Sequence, residues 1–199
     1  MIVVVAALKG GVGKTTTAVY LAASAVSSRQ AVTLVDADPQ ASAADWLDGS
    51  EDSYLEDIDL VEAPTERLLT RVLEKITDDD VAVVDTPPGD ERMMLRALSL
   101  ADVVVVPTRV GGMEMARVEA VLQVVPRKVP YGLVISSART FTRSYAEVVA
   151  EWTEADVRVW GTVPERVSIA SGPDAGLSPE GVEIYRGVWR RAQRAARGL

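Results

Sequence analysis

The stretch Ile2-Val3-Val4-Val5-Ala6-Ala7-Leu8-Lys9-Gly10-Gly11-Val12-Gly13-Lys14-Thr15-Thr16 runs from an apolar segment through a glycine-rich turn into a hydroxyl-rich segment. Continuous apolar residues without polar alternation suit a strand covered on both faces. Gly10, Gly11 and Gly13 open backbone conformations closed to β-branched residues, which lets consecutive N–H groups converge on an anion. A helix opening at about Thr15 adds the positive end of its dipole. Lys14 then reaches the β and γ phosphates of a bound nucleotide, and the Thr15 hydroxyl is a ligand for Mg²⁺. Val12 and Thr16 complete the phosphate-binding loop.

Outward from this loop, Val/Ala/Ile/Leu runs recur at 2–7, 31–36, 81–85, 102–107 and 131–136. The intervals hold helices at about 15–28, 41–48, 64–77, 90–100, 113–125, 142–153 and 179–197. That rhythm predicts an α/β fold, doubly wound, with a mainly parallel sheet flanked by helices. No repeat or biased linker divides the 199 residues, so residues 1–199 read as a single domain. The opening apolar run lacks a preceding basic region and reads as a buried strand, not an export signal.

The composition narrows the chemistry. The chain has no Cys and no His, which removes thiolate nucleophiles, Ser-His-Asp triads, His-ligated metals and Cys-bound iron–sulfur clusters. Carboxylates, amines, hydroxyls and bound ions remain, an inventory suited to phosphate chemistry. A net charge of −8 argues against coating nucleic acid over the whole surface and leaves room for a local basic patch.

The strict Walker A pattern requires Gly at position 8, where this chain has Leu8. It matches instead the deviant form K-G-G-x-G-K-[ST], with a second lysine, Lys9, at the loop's entrance. Asp36-Ala37-Asp38-Pro39-Gln40 and Val83-Val84-Asp85-Thr86-Pro87-Pro88-Gly89 follow, each closing an apolar run. On these three segments, in this order, the chain resembles the ParA/MinD family of ATPases along nearly its full length. Trp46, after the D-x-D-P-Q segment, points to the small ParF-like subgroup. The chain begins at the loop's own strand, so the N-terminal helix-turn-helix of larger ParA proteins is not expected.

The resemblance implies a P-loop NTPase of deviant Walker A type that binds ATP, ADP and Mg²⁺. It makes Asp38 the residue that positions or polarises the attacking water, counted also among the residues around Mg²⁺, and Asp85 the Walker B carboxylate, acting on Mg²⁺ through a coordinated water. Asp36 either helps hold Mg²⁺ through water or caps a helix or turn. Asp36 and Asp38 are expected at the carboxyl edge of the sheet, beside the strand carrying the loop. Pro87, Pro88 and Gly89 form a turn able to register the γ-phosphate. Lys9 would cross to the nucleotide of a partner subunit when two copies close around two ATP molecules. Many family members read adenine with an Asn after a later strand; Ser136 and Ser137 follow that strand here, which leaves Pro107 and Thr108 as backbone contacts to the base.

The resemblance also implies an ATP-bound homodimer, nonspecific DNA, a ParB-like or other adaptor, and a cytoplasmic, nucleoid-associated location. The cargo is chosen by the adaptor. Arg139 and Arg143, with Arg190, Arg191 and Arg194 near the C-terminus, are the candidate DNA-facing cations; a solvated helix face favoured by the helix dipole is the alternative for the C-terminal group. MinD-like relatives end in an amphipathic membrane helix, but the stripe Tyr185, Val188, Trp189, Ala192, Ala195 and Leu199 is thin and Ala-rich, so stable membrane association is not expected. A metabolic ligase or kinase on the same loop architecture is a further alternative. Residues 45–62 carry eight acidic side chains and no basic ones, which reads as a solvated segment or a docking surface for a basic partner.

Overall fold

The structure is a computed structural model and describes residues 1–26, 30–165, 169 and 176–199. Its strands are β1 (Ile2–Val5), β2 (Ala31–Asp36), β3 (Ile58–Glu62), β4 (Asp80–Asp85), β5 (Val103–Thr108), β6 (Tyr131–Ala138) and β7 (Val159–Pro164). The helices are α1 (Lys14–Val26), α2 (Ser42–Asp48), α3 (Glu66–Leu73), α4 (Glu91–Ser99), α5 (Gly112–Val124), α6 (Arg143–Glu154) and α7 (Pro179–Ala196). The seven strands form one sheet in the order β3-β2-β4-β1-β5-β6-β7, every neighbouring pair parallel.

The five expected apolar runs are the five inner strands. The two edge strands, β3 and β7, were not expected. β3 interrupts its apolar residues with Asp59 and Glu62 and forms the end of the acidic segment; β7 contains Gly161 and closes on Pro164. An edge strand needs partners on one side only, and charge or proline there blunts further pairing. The helix expected over 64–77 is shorter, beginning where the Thr65 side chain accepts from Leu68 N–H and ending at Leu73. The last two residues of the helix expected over 15–28 lie outside the described residues.

Alternation along β1 divides the core. Val3 and Val5 join Val19, Leu34, Tyr185, Val188 and Trp189 under α1 and α7, whereas Val4 and Ala6 join Leu69, Met94, Val118 and Trp152 under α3 to α6. Both faces of β1 are therefore sealed, which is why its sequence shows no polar alternation. The apolar stripe of α7 is spent in this way: Tyr185, Val188, Trp189 and Ala192 are buried.

The sheet order also corrects one expectation. β2 does not lie beside β1. The chain steps outward from β2 to β3 and returns to place β4 between β2 and β1, so Asp36 pairs with Asp85 and Asp85 pairs with Val5. Three functional segments thus leave adjacent strands at one carboxyl edge, where ligands bind in open α/β sheets.

Candidate nucleotide site

β1 ends at Val5 and α1 opens at Lys14, with the glycine loop between them. Gly11 and Gly13 have φ values of 74° and 90°, a left-handed backbone that costs other residues about 1–2 kcal/mol. Gly10 lies outside that region, and a Cβ there would meet Pro88 at ordinary distance, 3.7 Å. The loop's own conformation therefore demands glycine at two positions, not three. Val12 is buried, and its carbonyl accepts from Ser136 Oγ at 2.6 Å; the same hydroxyl lies 3.0 Å from the Thr108 carbonyl. One buried side chain from β6 thus fastens the loop to the end of β5.

Lys14 is 7% exposed. Burial lowers its pKa, opposed by the Asp85 and Asp38 carboxylates. Its ammonium donates to the Lys9 carbonyl at 3.3 Å. Thr15 Oγ1 donates to Asp85 Oδ2 at 2.6 Å, while Asp85 Oδ1 is buried without a partner. Burial pushes the Asp85 carboxyl up to about 7, with the Thr15 hydrogen bond pulling it back. A hydroxyl beside a carboxylate whose second, buried oxygen has no partner suits a hard cation such as Mg²⁺. Among the described residues no group of three or more acidic side chains could hold a metal, so such an ion would draw its remaining ligands from phosphate and water.

The D-x-D segment divides its labour. Asp36 Oδ1 accepts from Asp38 N–H at 3.0 Å, and Oδ2 accepts from the Ala43 and Ala44 amides at 2.8 and 3.1 Å. The residue at the N-cap of α2, Ala41, has φ 53° and contributes no side-chain cap, so Asp36 caps the helix from a distance. Of its two sequence readings, this geometry is the capping one. Asp38 Oδ1 accepts from Gln40 N–H at 2.9 Å.

Pro107 and Thr108 do not face the larger cavity beside the loop. Both lie within β5, paired with Val134 and Ile135, and the Thr108 carbonyl is engaged by Ser136. They line a void of about 10 Å³ near Lys9. The cavity of about 220 Å³ is lined by Gly13, Thr16, Arg109, Ser136, Ser137 and Tyr185, among others. Arg109 was not singled out from sequence, since a lone Arg after a strand carries no local signal; Ser136 was noted only for standing where relatives carry an Asn, and its bonds to the loop and to β5 were not expected.

Lys9 is held within its own chain. Its Nζ lies 3.1 Å from Glu114 Oε1, on the first turn of α5, and Arg117 pairs with the same oxygen at 2.5 Å. Leu8, standing where the strict motif has Gly, packs against the apolar cluster under α3 to α6.

The candidate DNA-facing cations do not form one surface. Arg139 and Arg143 stand at the nucleotide edge, paired with Glu165 and Glu147. Arg191 and Arg194, near the end of α7, line a groove of about 630 Å³ with Arg158 and Trp160. That groove adjoins another of about 400 Å³ holding Arg127 and Lys128. These residues lie at the amino-terminal ends of β6 and β7, the opposite edge of the sheet. Arg190 is exposed on the same helix. Among the described residues Arg127, Lys128, Arg158 and Arg194 form no ion pair.

Comparison with known proteins agrees with this geometry. The CobQ/CobB/MinD/ParA nucleotide binding domain matches residues 3–179. Protein ParA of Rhizobium radiobacter is 30% identical over 168 residues, covering 79% of this chain and 75% of that protein. Maintenance of carboxysome distribution protein A of Gloeobacter kilaueensis is 41% identical over 109 residues, 54% of this chain and 49% of that protein, so the match spans about half of that relative. An ATP complex of a Cyanothece McdA variant has the same fold, with TM-score 0.78 at 17% identity, covering 100% of this chain and 96% of that one. With a glycine loop, a Thr15–Asp85 contact and an Asp38 turn converging at one sheet edge, the chain belongs to the CobQ/CobB/MinD/ParA family of nucleotide-binding domains.

Proposed function

We propose that this chain is an ATP·Mg²⁺-driven positioning ATPase of the ParA kind, in which ATP joins two copies, the dimer holds nonspecific DNA, and hydrolysis to ADP and phosphate resets it. A ParB-like or other adaptor would stimulate the reset and couple it to a plasmid, a chromosomal region or another cargo. The contact between Thr15 and Asp85 carries the reading, because it sets a loop hydroxyl against a buried carboxylate whose second oxygen has no partner, a donor set suited to a hard cation beside phosphate.

Mg²⁺, when bound, would be held by Thr15 and Asp85 and would supply positive charge that offsets that of the phosphates. The chain's residues do the rest. Amides of Gly10, Gly11, Val12 and Gly13 surround the phosphates, Lys14 neutralises them, and Thr15 with Asp85 orients the ion. Thr16, Arg109 and Ser137 face the remainder of the nucleotide in the cavity beside the loop. Asp38 orients the attacking water from a turn anchored by Asp36. Lys9, delivered from the second copy, stabilises charge on the transferring phosphoryl group, so hydrolysis waits for the dimer.

The groove at the opposite edge is the DNA-facing surface this reading favours, because Arg127, Lys128, Arg158 and Arg194 form no ion pair among the described residues, whereas Arg139 and Arg143 are paired. Closure at the nucleotide edges would place the two grooves of a dimer at its far ends. One weak contact per copy then becomes two per dimer, which raises retention on dense DNA through effective concentration. The membrane alternative loses most of its apolar face, since Tyr185, Val188, Trp189 and Ala192 of the α7 stripe are buried in the core and only Leu199 at its end is well exposed. Retention of the protein on a DNA-coated surface with ADP, ATP and a nonhydrolysable analogue, at stated salt, tests the reading. Strong retention with ATP or the analogue and weak retention with ADP is expected; equal retention in all three, or none, overturns it.

A further inference from the structure

Lys9 is the residue on which the trans reading turns, and its position in the single chain conflicts with that role. Its ammonium, half exposed, reaches sideways to Glu114 Oε1 at 3.1 Å instead of outward from the loop. Glu114 is 13% exposed on its side chain, and Arg117 one turn further along α5 holds the same oxygen at 2.5 Å. The carboxylate is therefore a fixed anchor, shielded from water on most sides, and not a flexible surface charge. Leu8 packs beneath the loop entrance, and the Lys9 carbonyl is held by the Lys14 ammonium at 3.3 Å. Backbone and side chain of Lys9 are both parked in their own subunit.

We infer that Glu114 is a latch: it retains Lys9 in the resting monomer and sets the threshold at which two copies close. The inference rests on the trans role proposed for Lys9. To act across the interface, the ammonium must leave Glu114 and exchange one carboxylate for phosphate oxygens of the facing nucleotide. A bound triphosphate offers more negative charge than one carboxylate, so ATP favours release, and the two copies must each release one lysine. Arg117 lowers the barrier to that exchange, because it keeps Glu114 paired after Lys9 departs and no buried charge is stranded. The second lysine of the loop also draws Lys14 into the switch: phosphate arriving at Lys14 competes with the Lys9 carbonyl it holds, freeing backbone and side chain together.

The test is Glu114→Gln, which keeps size and helix preference while removing the charge. ATP-dependent dimerisation is followed by sedimentation over a range of protein concentration, with hydrolysis measured without any adaptor. A partly exposed pair contributes a factor of about two to five, and each dimer breaks two pairs, so the dimer dissociation constant should fall by about four- to twenty-fivefold. Adaptor-free turnover at low protein concentration should rise with it. Glu114→Asp, one methylene shorter and still charged, should shift the constant in the same direction if the glutamine variant folds poorly. The gain must vanish when Lys9→Ala is added. Unchanged or weaker dimerisation in both Glu114 variants, or a gain that survives Lys9→Ala, overturns the latch. If Lys9→Ala alone dimerises and turns over like the parent, the trans reading itself fails and the latch with it. If Lys9→Ala loses both activities while the Glu114 variants match the parent, the latch alone fails.

Discussion

Thr15 and Asp85 lie 70 residues apart in sequence, and their side chains meet at 2.6 Å where the phosphate loop passes the end of β4. The contact depends on β4 occupying the slot beside β1. Thr15→Ala removes a hydroxyl ligand and leaves both Asp85 oxygens without a donor. Affinity for ATP in the presence of Mg²⁺ should fall by about tenfold or more, as for loss of one charge-assisted contact of about 1.5–3 kcal/mol. Affinity in EDTA should change far less, and calorimetric titration in both conditions makes the comparison. Equal losses with and without Mg²⁺ would count against Thr15 as a metal ligand.

The buried Asp85 makes stability pH-sensitive. Its carboxyl releases its proton at about 7 in the folded chain against an ordinary 3.8. Between those values the folded state binds more protons than the unfolded state, so this group's contribution to stability falls as pH rises from about 4 to 7 and levels off above. A shift of that size has a ceiling on the order of 4 kcal/mol. Asp85→Asn removes the charge without removing the volume. In EDTA and without nucleotide, the variant should therefore gain more in Tm over the parent at pH 8 than at pH 5. A gain that is the same at both pH values would contradict the assignment.

The five inner strands were legible because both faces of each are covered, which forces runs such as Val81-Ala82-Val83-Val84. β3 and β7 were not, because an edge strand may carry Asp59 or Gly161 without leaving a polar group buried. The loop and the three aspartates were readable from local motifs. Ser136 and Glu114 were not, since each acts on the loop from more than 100 residues away and neither belongs to a local pattern. The arginines mark a third limit. Arg139 and Arg191 share a residue type, yet their elements end at opposite edges of the sheet, and only topology separates them.

Asp36 offers a test that separates anchoring from metal binding. Its carboxylate accepts three backbone N–H bonds around the start of α2, and removing such a cap costs about 1–2 kcal/mol. Asp36→Ala should lower Tm by about 2–8 °C and release the α2 amides to hydrogen exchange. ATP·Mg²⁺ affinity should stay within about threefold of the parent, while turnover falls because the Asp38 turn loses its support. A collapse of Mg²⁺-dependent affinity with α2 still protected would mean that Asp36 serves the ion and not the helix.

The groove at the amino-terminal edge of β6 and β7 and the arginines at the nucleotide edge predict opposite outcomes from equal changes of charge. Replacing Lys128 and Arg158 by Ala removes two cations that form no ion pair among the described residues. Each cation withdrawn from a DNA phosphate lowers the slope of log affinity against log salt by about 0.9 for duplex DNA, so this pair should reduce the slope by about two and weaken binding uniformly across sequences. Replacing Arg139 and Arg143 by Ala breaks ion pairs with Glu165 and Glu147, whose acidic partners then remain, and should leave the slope nearly unchanged. ATP hydrolysis at fixed protein concentration should be unaffected in the groove variant, because its residues lie at the far edge of the sheet from Thr15 and Asp85. If the Arg139 and Arg143 pair carries the salt dependence instead, DNA is held at the nucleotide edge, and its dependence on ATP would follow directly from closure of the dimer.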